Sequence, residues 1–170
     1  MSSIIGVAIA VPDPFGAEIE RLRKSFGDPL ADAIPAHITL LPPTRVAADA
    51  LPAVEAHLEL SARTAAPFDV ALHGTGTFRP VSPVVFVALS EGIASCEGLA
   101  DAVRSGPLAR DLDHPYHPHV TVAHDLPDDV LDAAFDQLLE FRARFVASAL
   151  TLYMHRAGRW NESRSFPLGG

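Results

Sequence analysis

The chain predicts an α+β fold of two lobes, internally duplicated, with mainly antiparallel sheets around a central cleft and helices outside. Three observations carry that expectation. The tetrapeptide His37-Ile38-Thr39-Leu40 returns as His119-Val120-Thr121-Val122, 82 positions further on. Each copy alternates polar and apolar residues, the period of a half-buried strand, so its histidine and threonine leave one sheet face together while the apolar neighbours enter the core. The same order of strand, helix, motif strand, helix, strand also runs twice, over residues of about 1–76 and 84–170, in what reads as one domain spanning 1–170.

The elements follow in order. Ser3 to Ala10 is a β-rich apolar run that Pro12-Asp13-Pro14 ends, and Ile19, Leu22 and Phe26 then recur at helical spacing up to Gly27. His37 to Leu41 is the first motif strand, closed by Pro42-Pro43. Leu51, Val54 and Leu58 give the next helix its apolar face, with Pro52 tolerated near its start. Phe68 to Leu72 is a third strand, and the turn-like Gly74 to Pro83 separates the halves. The order then restarts with Val84 to Leu89, a helix through Cys96, Leu99 and Val103, and the second motif strand His119 to Ala123. Asp128 opens a helix through Leu131, Ala134, Leu138 and Phe141, and Phe145 to Met154 reads as the last strand of the repeat. A hairpin at Ala157-Gly158 returns through Trp160 to Phe166.

Composition narrows the function. With 170 residues and 48% hydrophobic content the chain has enough apolar material for one core, and its single cysteine, Cys96, leaves no internal disulfide. The first residues do not resemble a secretory signal, and no apolar run approaches a membrane span, so the expectation is a soluble cytoplasmic protein with no membrane partner. A net charge of −8 argues against an extended nucleic-acid surface, which needs clustered lysine and arginine to displace counterions. A small anion or a nucleic-acid end is compatible with it.

The duplicated motif carries the chemistry. If equivalent strands of two similar halves wall one cleft, two imidazoles face each other. One neutral histidine can accept a proton while a protonated partner donates one. At a phosphodiester, the base deprotonates the attacking water and the acid protonates the departing oxygen. Thr39 and Thr121 would donate to non-bridging phosphate oxygens. Neither a metal nor another cofactor is required. His119 as base and His37 as acid is the first assignment, with the roles exchangeable by substrate orientation.

His37-Ile38-Thr39-Leu40-Leu41-Pro42-Pro43 and Tyr116-His117-Pro118-His119-Val120-Thr121-Val122-Ala123 resemble the two signatures of the two-histidine (2H) phosphoesterase superfamily, in particular its 2′-5′ RNA ligase and RNA 2′,3′-cyclic phosphodiesterase branch. Phe68 to Phe78 with the following strand resembles that family's central crossover, and Phe145 to Phe166 its C-terminal strands. The resemblance implies His37 and His119 as the catalytic pair, Thr39 and Thr121 as phosphate ligands, and Phe78 beside a nucleobase or ribose. It implies hydrolysis of a 2′,3′-cyclic phosphate in a small substrate or at an RNA end, with 2′-5′ ligation as the reverse reaction. Many members of that branch carry arginine soon after the second motif, where this chain has His124. Tyr116, His124 and Arg45 join Phe78 as candidates for substrate contact, and Arg45, Arg79, Arg156 and Arg159 are the candidates for the displaced charge.

Two rival readings stay open. His114, His117, His119 and His124 sit close enough in sequence to bind zinc in a metal-dependent hydrolase. Alternatively, the cleft binds a phosphate or RNA end without turnover. His57 and Cys96, both on helical stretches, read as structural. His73-Gly74-Thr75 matches the loose pattern only and reads as a strand end. The oligomeric state has no signature.

Overall fold

The computed structural model describes residues 1–169. Eight strands and four α-helices alternate along it in two four-stranded sheets, both antiparallel in every pairing. One sheet has β1 (Ser2–Ala10) and β7 (Ala149–Arg156) in its middle, β2 (His37–Ala47) at one edge and β8 (Arg159–Pro167) at the other. The second has β4 (Val84–Glu91) and β3 (Phe68–Thr77) in its middle, β5 (His119–His124) at one edge and β6 (Arg142–Ala147) at the other. Both motif strands are therefore edge strands, and β2 lies against β5 where the sheets meet.

The helices fix that meeting. α1 (Phe15–Ser25) follows β1 but lies against β5 of the other sheet, and α3 (Ile93–Val103) follows β4 but lies against β2. Each motif strand is thus held by its own sheet and by the helix of the other lobe. α2 (Leu51–Arg63) packs on α3 and β8, and α4 (Asp128–Gln137) covers β3, β4 and β5. A single apolar cluster runs through both sheets and includes Ile38, Leu40, Val120 and Val122, all at 0% exposure, so the alternation read from the sequence sends these four residues into the core.

Three elements differ from the sequence reading. Pro42-Pro43 do not close β2, which continues to Ala47; the ladder with β1 slips around Gly6, and an edge strand tolerates prolines because one of its sides needs no N–H donor. β3 likewise runs on to Thr77 through a register slip between Leu72 and Thr75. The stretch read as one strand from Phe145 to Met154 is two strands broken at Ser148, β6 in one sheet and β7 in the other. The lobes consequently do not coincide with residues 1–76 and 84–170. β3, from the first half, joins the second motif's sheet, and β7 and β8, from the second half, complete the first motif's sheet. This exchange makes the strand after each motif helix part of the same sheet, with Phe68 opposite Ala147 and Val70 opposite Phe145.

Candidate active site

The two motif histidines are held in the same way. His37 donates its Nδ1–H to the carbonyl of Pro35 at 2.8 Å, and His119 donates its Nδ1–H to the carbonyl of His117 at 2.6 Å. A carbonyl can only accept, so each bond assigns the proton to Nδ1 and leaves Nε2 as the working nitrogen of the neutral ring. The partner lies two residues upstream in both cases, and Pro35 and Pro118 stiffen the approach to the strand.

Two adjoining cavities contain the motif side chains. One, of about 250 Å³, brings His37, Thr39, Thr121, His124 and Arg23 together over a mainly apolar floor that includes Leu41, Tyr153 and Trp160. The other, of about 550 Å³, holds His119 with Phe78, Tyr116, His117 and His114, and Thr39 is common to both. Each histidine therefore shares a cavity with the threonine of the opposite motif. Neither the Thr39 nor the Thr121 hydroxyl has a protein partner among the described residues, whereas Thr44, Thr64, Thr75 and Thr77 all bond to the chain.

Burial sets the protonation of the pair. Enclosure by protein pushes His37 down to about 4, a shift opposed by its bond to Pro35 and reinforced by the charges of Arg23 and His119. Enclosure lowers His119 as well, opposed by its bond to the His117 carbonyl and reinforced by the His117 ring. Both imidazoles are basic acceptors at neutral pH in the free protein, and each is sensitive to a positive charge on a neighbour.

The other sequence candidates divide. Phe78 meets His119 edge to face at a centroid distance of 4.9 Å, and Phe86 packs on the same imidazole at 5.1 Å, so Phe78 buttresses the histidine as well as lining its cavity. Gly76 makes room for this stack: a Cβ there would stand 2.5 Å from Cζ of Phe86. Tyr116 donates its hydroxyl to the main-chain carbonyl of Thr39 at 2.7 Å and lies under the Arg104 guanidinium. His124 lines the smaller cavity and gives its backbone N–H to Asp28. Trp160, on the returning strand of the final hairpin, forms a wall of that cavity and lies over Gly6.

None of the four arginines proposed from sequence lines either cavity. Arg45 donates to the Ser2 hydroxyl, and Arg79 pairs with Asp128 and Asp132. Among the described residues Arg156 reaches only the Met154 sulfur, and Arg159 lines a separate polar depression. Two other arginines do line the two cavities: Arg110 borders the larger one while donating to the Pro43 carbonyl and the Thr44 hydroxyl, and Arg23 lines the smaller one beside His37. The sequence reading passed over Arg23 because a lone charge on an amphipathic helix ordinarily faces solvent. Among the described residues no three histidine, cysteine, aspartate or glutamate side chains converge as a metal-holding group. None of the helices there is long and apolar enough to cross a membrane. His57 bonds to the Val103 carbonyl and Cys96 is buried, its thiol pushed up to about 12 by that burial, as structural roles predict.

Comparison with known proteins agrees with this architecture. The family model of the 2′-5′ RNA ligase superfamily matches residues 11–159. A Halalkalibacterium halodurans protein carrying a provisional phosphoesterase name is 28% identical over 167 residues, covering 96% of this chain and 96% of its own. Among solved structures, E. coli LigT complexed with NADP+ is similar with a TM-score of 0.71 at 22% identity, over 100% of both chains. The same LigT complexed with 3′-AMP gives 0.69 at 20% identity, again over 100% of both. The likeness to these structures is one of fold.

Proposed function

The chain belongs to the 2′-5′ RNA ligase superfamily of two-histidine phosphoesterases, and from that premise we propose that it hydrolyses 2′,3′-cyclic phosphates of nucleotides or RNA ends without a metal. One observation carries the reading: both motif histidines are locked in the same tautomer by the carbonyl two residues upstream, in adjoining cavities that share Thr39. That arrangement leaves an Nε2 on each ring free to accept or donate a proton, and a displacement at phosphorus needs one ring in each role.

Neutral His37 takes a proton from a water molecule as the water oxygen bonds to phosphorus. The bond from phosphorus to one ribose oxygen breaks, and that oxygen leaves with the proton of His119. The product is a ribose phosphomonoester with one free neighbouring hydroxyl, and the two imidazoles have exchanged protonation states. These roles reverse the first assignment from sequence, because the Arg23 charge beside His37 favours its neutral, proton-accepting form. Run backwards with a ribose hydroxyl in place of water, the same groups would join two RNA ends; bulk water favours hydrolysis. The Thr39 and Thr121 hydroxyls, free of protein partners, would donate to the non-bridging oxygens as charge builds there.

The substrate is small or is a chain end. A cavity of about 250 Å³ with an apolar floor and a Trp160 wall suits a base or sugar face, and the net charge of −8 disfavours a long polyanion. That E. coli LigT takes up 3′-AMP supports a nucleoside phosphate as the class. The test is a screen of 2′,3′-cyclic nucleotides, cyclic-ended oligonucleotides and small cyclic diesters in EDTA, with products identified by 31P NMR. Turnover that falls by about two to four orders of magnitude in His37→Ala and in His119→Ala is expected. Wild-type rates in the doubly substituted protein would sink the reading, and activity restored only by zinc would move it to the histidines between His114 and His124.

A further inference from the structure

Arg23 is 4% exposed, and its side chain forms part of the cavity wall that also holds His37, Thr39 and Thr121. Its Nε–H donates to Oδ2 of Asp28 at 2.7 Å, an ion pair with both side chains almost wholly enclosed. That is its sole protein hydrogen bond among the described residues. The two terminal nitrogens are not sealed in the core either, since Arg104 Nε alone is a buried side-chain nitrogen without a partner. The terminal N–H groups thus have no protein partner among the described residues and belong to a side chain that lines the cavity. Enclosing such a charge with donors unfilled is costly, and an anion in the cavity would fill them.

Asp28 is occupied elsewhere. Its Oδ1 accepts the Leu30 N–H and its Oδ2 also accepts the His124 N–H, so three donors share the carboxylate's charge. The contact with His124 ties the end of α1 to the end of β5, three residues beyond Thr121. Arg23 is therefore fixed relative to both motifs, by its helix packing on β5 and by Asp28. In the other lobe, the arginine at the end of α3 is Arg104. That guanidinium lies over the Tyr116 ring, pairs with Asp101 and lines neither cavity. The cation bordering the His119 cavity is Arg110, whose Nη1 is committed to the Pro43 carbonyl and the Thr44 hydroxyl, so Arg23 is the enclosed cation on the side of His37, Thr39 and Thr121.

We propose that Arg23 binds the non-bridging oxygens of the substrate phosphate through its terminal N–H groups, supplying from α1 the permanent charge that His124 does not supply after the second motif. The planar fork gives two parallel bonds to one oxyanion, beside a mainly apolar floor. The inference rests on the phosphoesterase reading for the identity of the ligand, but anion binding by Arg23 is measurable without turnover.

The probe is inorganic phosphate, titrated by calorimetry and by 15N NMR of the histidine rings into wild type, Arg23→Met and Arg23→Lys, each checked by circular dichroism and thermal melting. Wild type should bind phosphate with both His37 and His119 resonances shifting. Arg23→Met should bind about tenfold or more weakly, and Arg23→Lys, which keeps the charge but loses the fork, several-fold more weakly. A folded Arg23→Met that binds phosphate as wild type does overturns the proposal. Should Arg23→Met not fold, unchanged affinity in Arg23→Lys overturns it equally. Phosphate that leaves the wild-type His37 resonance unmoved also overturns it. Arg23-dependent phosphate binding in a protein that turns over no cyclic phosphate would leave this inference standing and remove the proposed function. Turnover with Arg23-independent phosphate binding would do the opposite.

Discussion

The Tyr116 hydroxyl donates to the main-chain carbonyl of Thr39 at 2.7 Å, joining the loop that enters the second motif to the middle of the first. Burial raises this phenol well above its ordinary range, so it stays a donor throughout any practical pH window. The bond spans the seam between the sheets, where β2 and β5 meet as edges without pairing to each other. It sets the height of Thr39, the one residue common to both cavities.

Tyr116→Phe removes only that oxygen. We expect a stability loss of about 1 to 2 kcal/mol in urea titration, the scale of one hydrogen bond whose acceptor is left without it. Turnover should fall with it, because Thr39 is no longer held against the second motif. A variant that melts and turns over as wild type does would show that packing of the ring alone positions the strand.

The motif strands were legible because their period of two is local and nothing overrides it: Ile38, Leu40, Val120 and Val122 are buried as the alternation requires. The break at Ser148 was not, since apolar residues continue through Ala147, Ala149 and Leu150 and a change of sheet leaves no mark on that pattern. Pro42-Pro43 misled for a related reason, because proline stops a central strand but not an edge, and edge position is a property of the whole sheet. Arg23 was missed because its burial depends on β5 crossing α1, about a hundred residues away in the chain. No spacing rule links it to Asp28, five positions on in the following loop.

Gly76 tests the stack behind His119. An added Cβ would come within 2.6 Å of two Phe86 ring atoms, and that ring is buried against both Phe78 and His119. Gly76→Ala should therefore cost about 1 to 3 kcal/mol through overpacking and lower turnover by tilting the imidazole. Gly98→Ala is the control, since a Cβ there meets nothing within 4 Å and the site lies in α3, where alanine is favoured by about 0.5 to 1 kcal/mol. Equal behaviour of the two variants would mean that the Phe86 ring does not support the histidine.

The pH dependence follows from the direction of the two shifts. The kcat/KM profile reports the free protein, in which His37 is held at about 4 and His119 below its ordinary value. Activity needs one ring neutral and the other protonated, so kcat/KM should rise as pH climbs through about 4 and fall before about pH 6.5, where the second ring has lost its proton. The limbs belong to the pair and not to single residues. A bound phosphate anion favours the protonated rings, so the kcat profile should sit to the alkaline side of the kcat/KM profile. A kcat/KM optimum above about pH 7 would be incompatible with two enclosed imidazoles as the acid and base.

Thr39→Val and Thr121→Val delete hydroxyls that have no partner in the protein, so the folded state should lose little. If those hydroxyls donate to the phosphate, the loss appears in turnover, at about 2 to 4 kcal/mol each on the scale of an oxyanion-hole donor, or roughly 30- to 1000-fold in kcat. Thr39 should be the more costly of the two, because it lines both cavities whereas Thr121 lines one. Thr64→Val gives the comparison, as the hydroxyl of Thr64 is already committed to the Leu60 and Ser61 carbonyls and lies outside both cavities. It should leave kcat near wild type. Steady-state kinetics on a cyclic phosphate that the protein turns over, with melting temperatures alongside, separates these outcomes. Wild-type kcat in both motif variants would reduce the threonines to strand residues, and the phosphate would then have to be held by other groups of the two cavities.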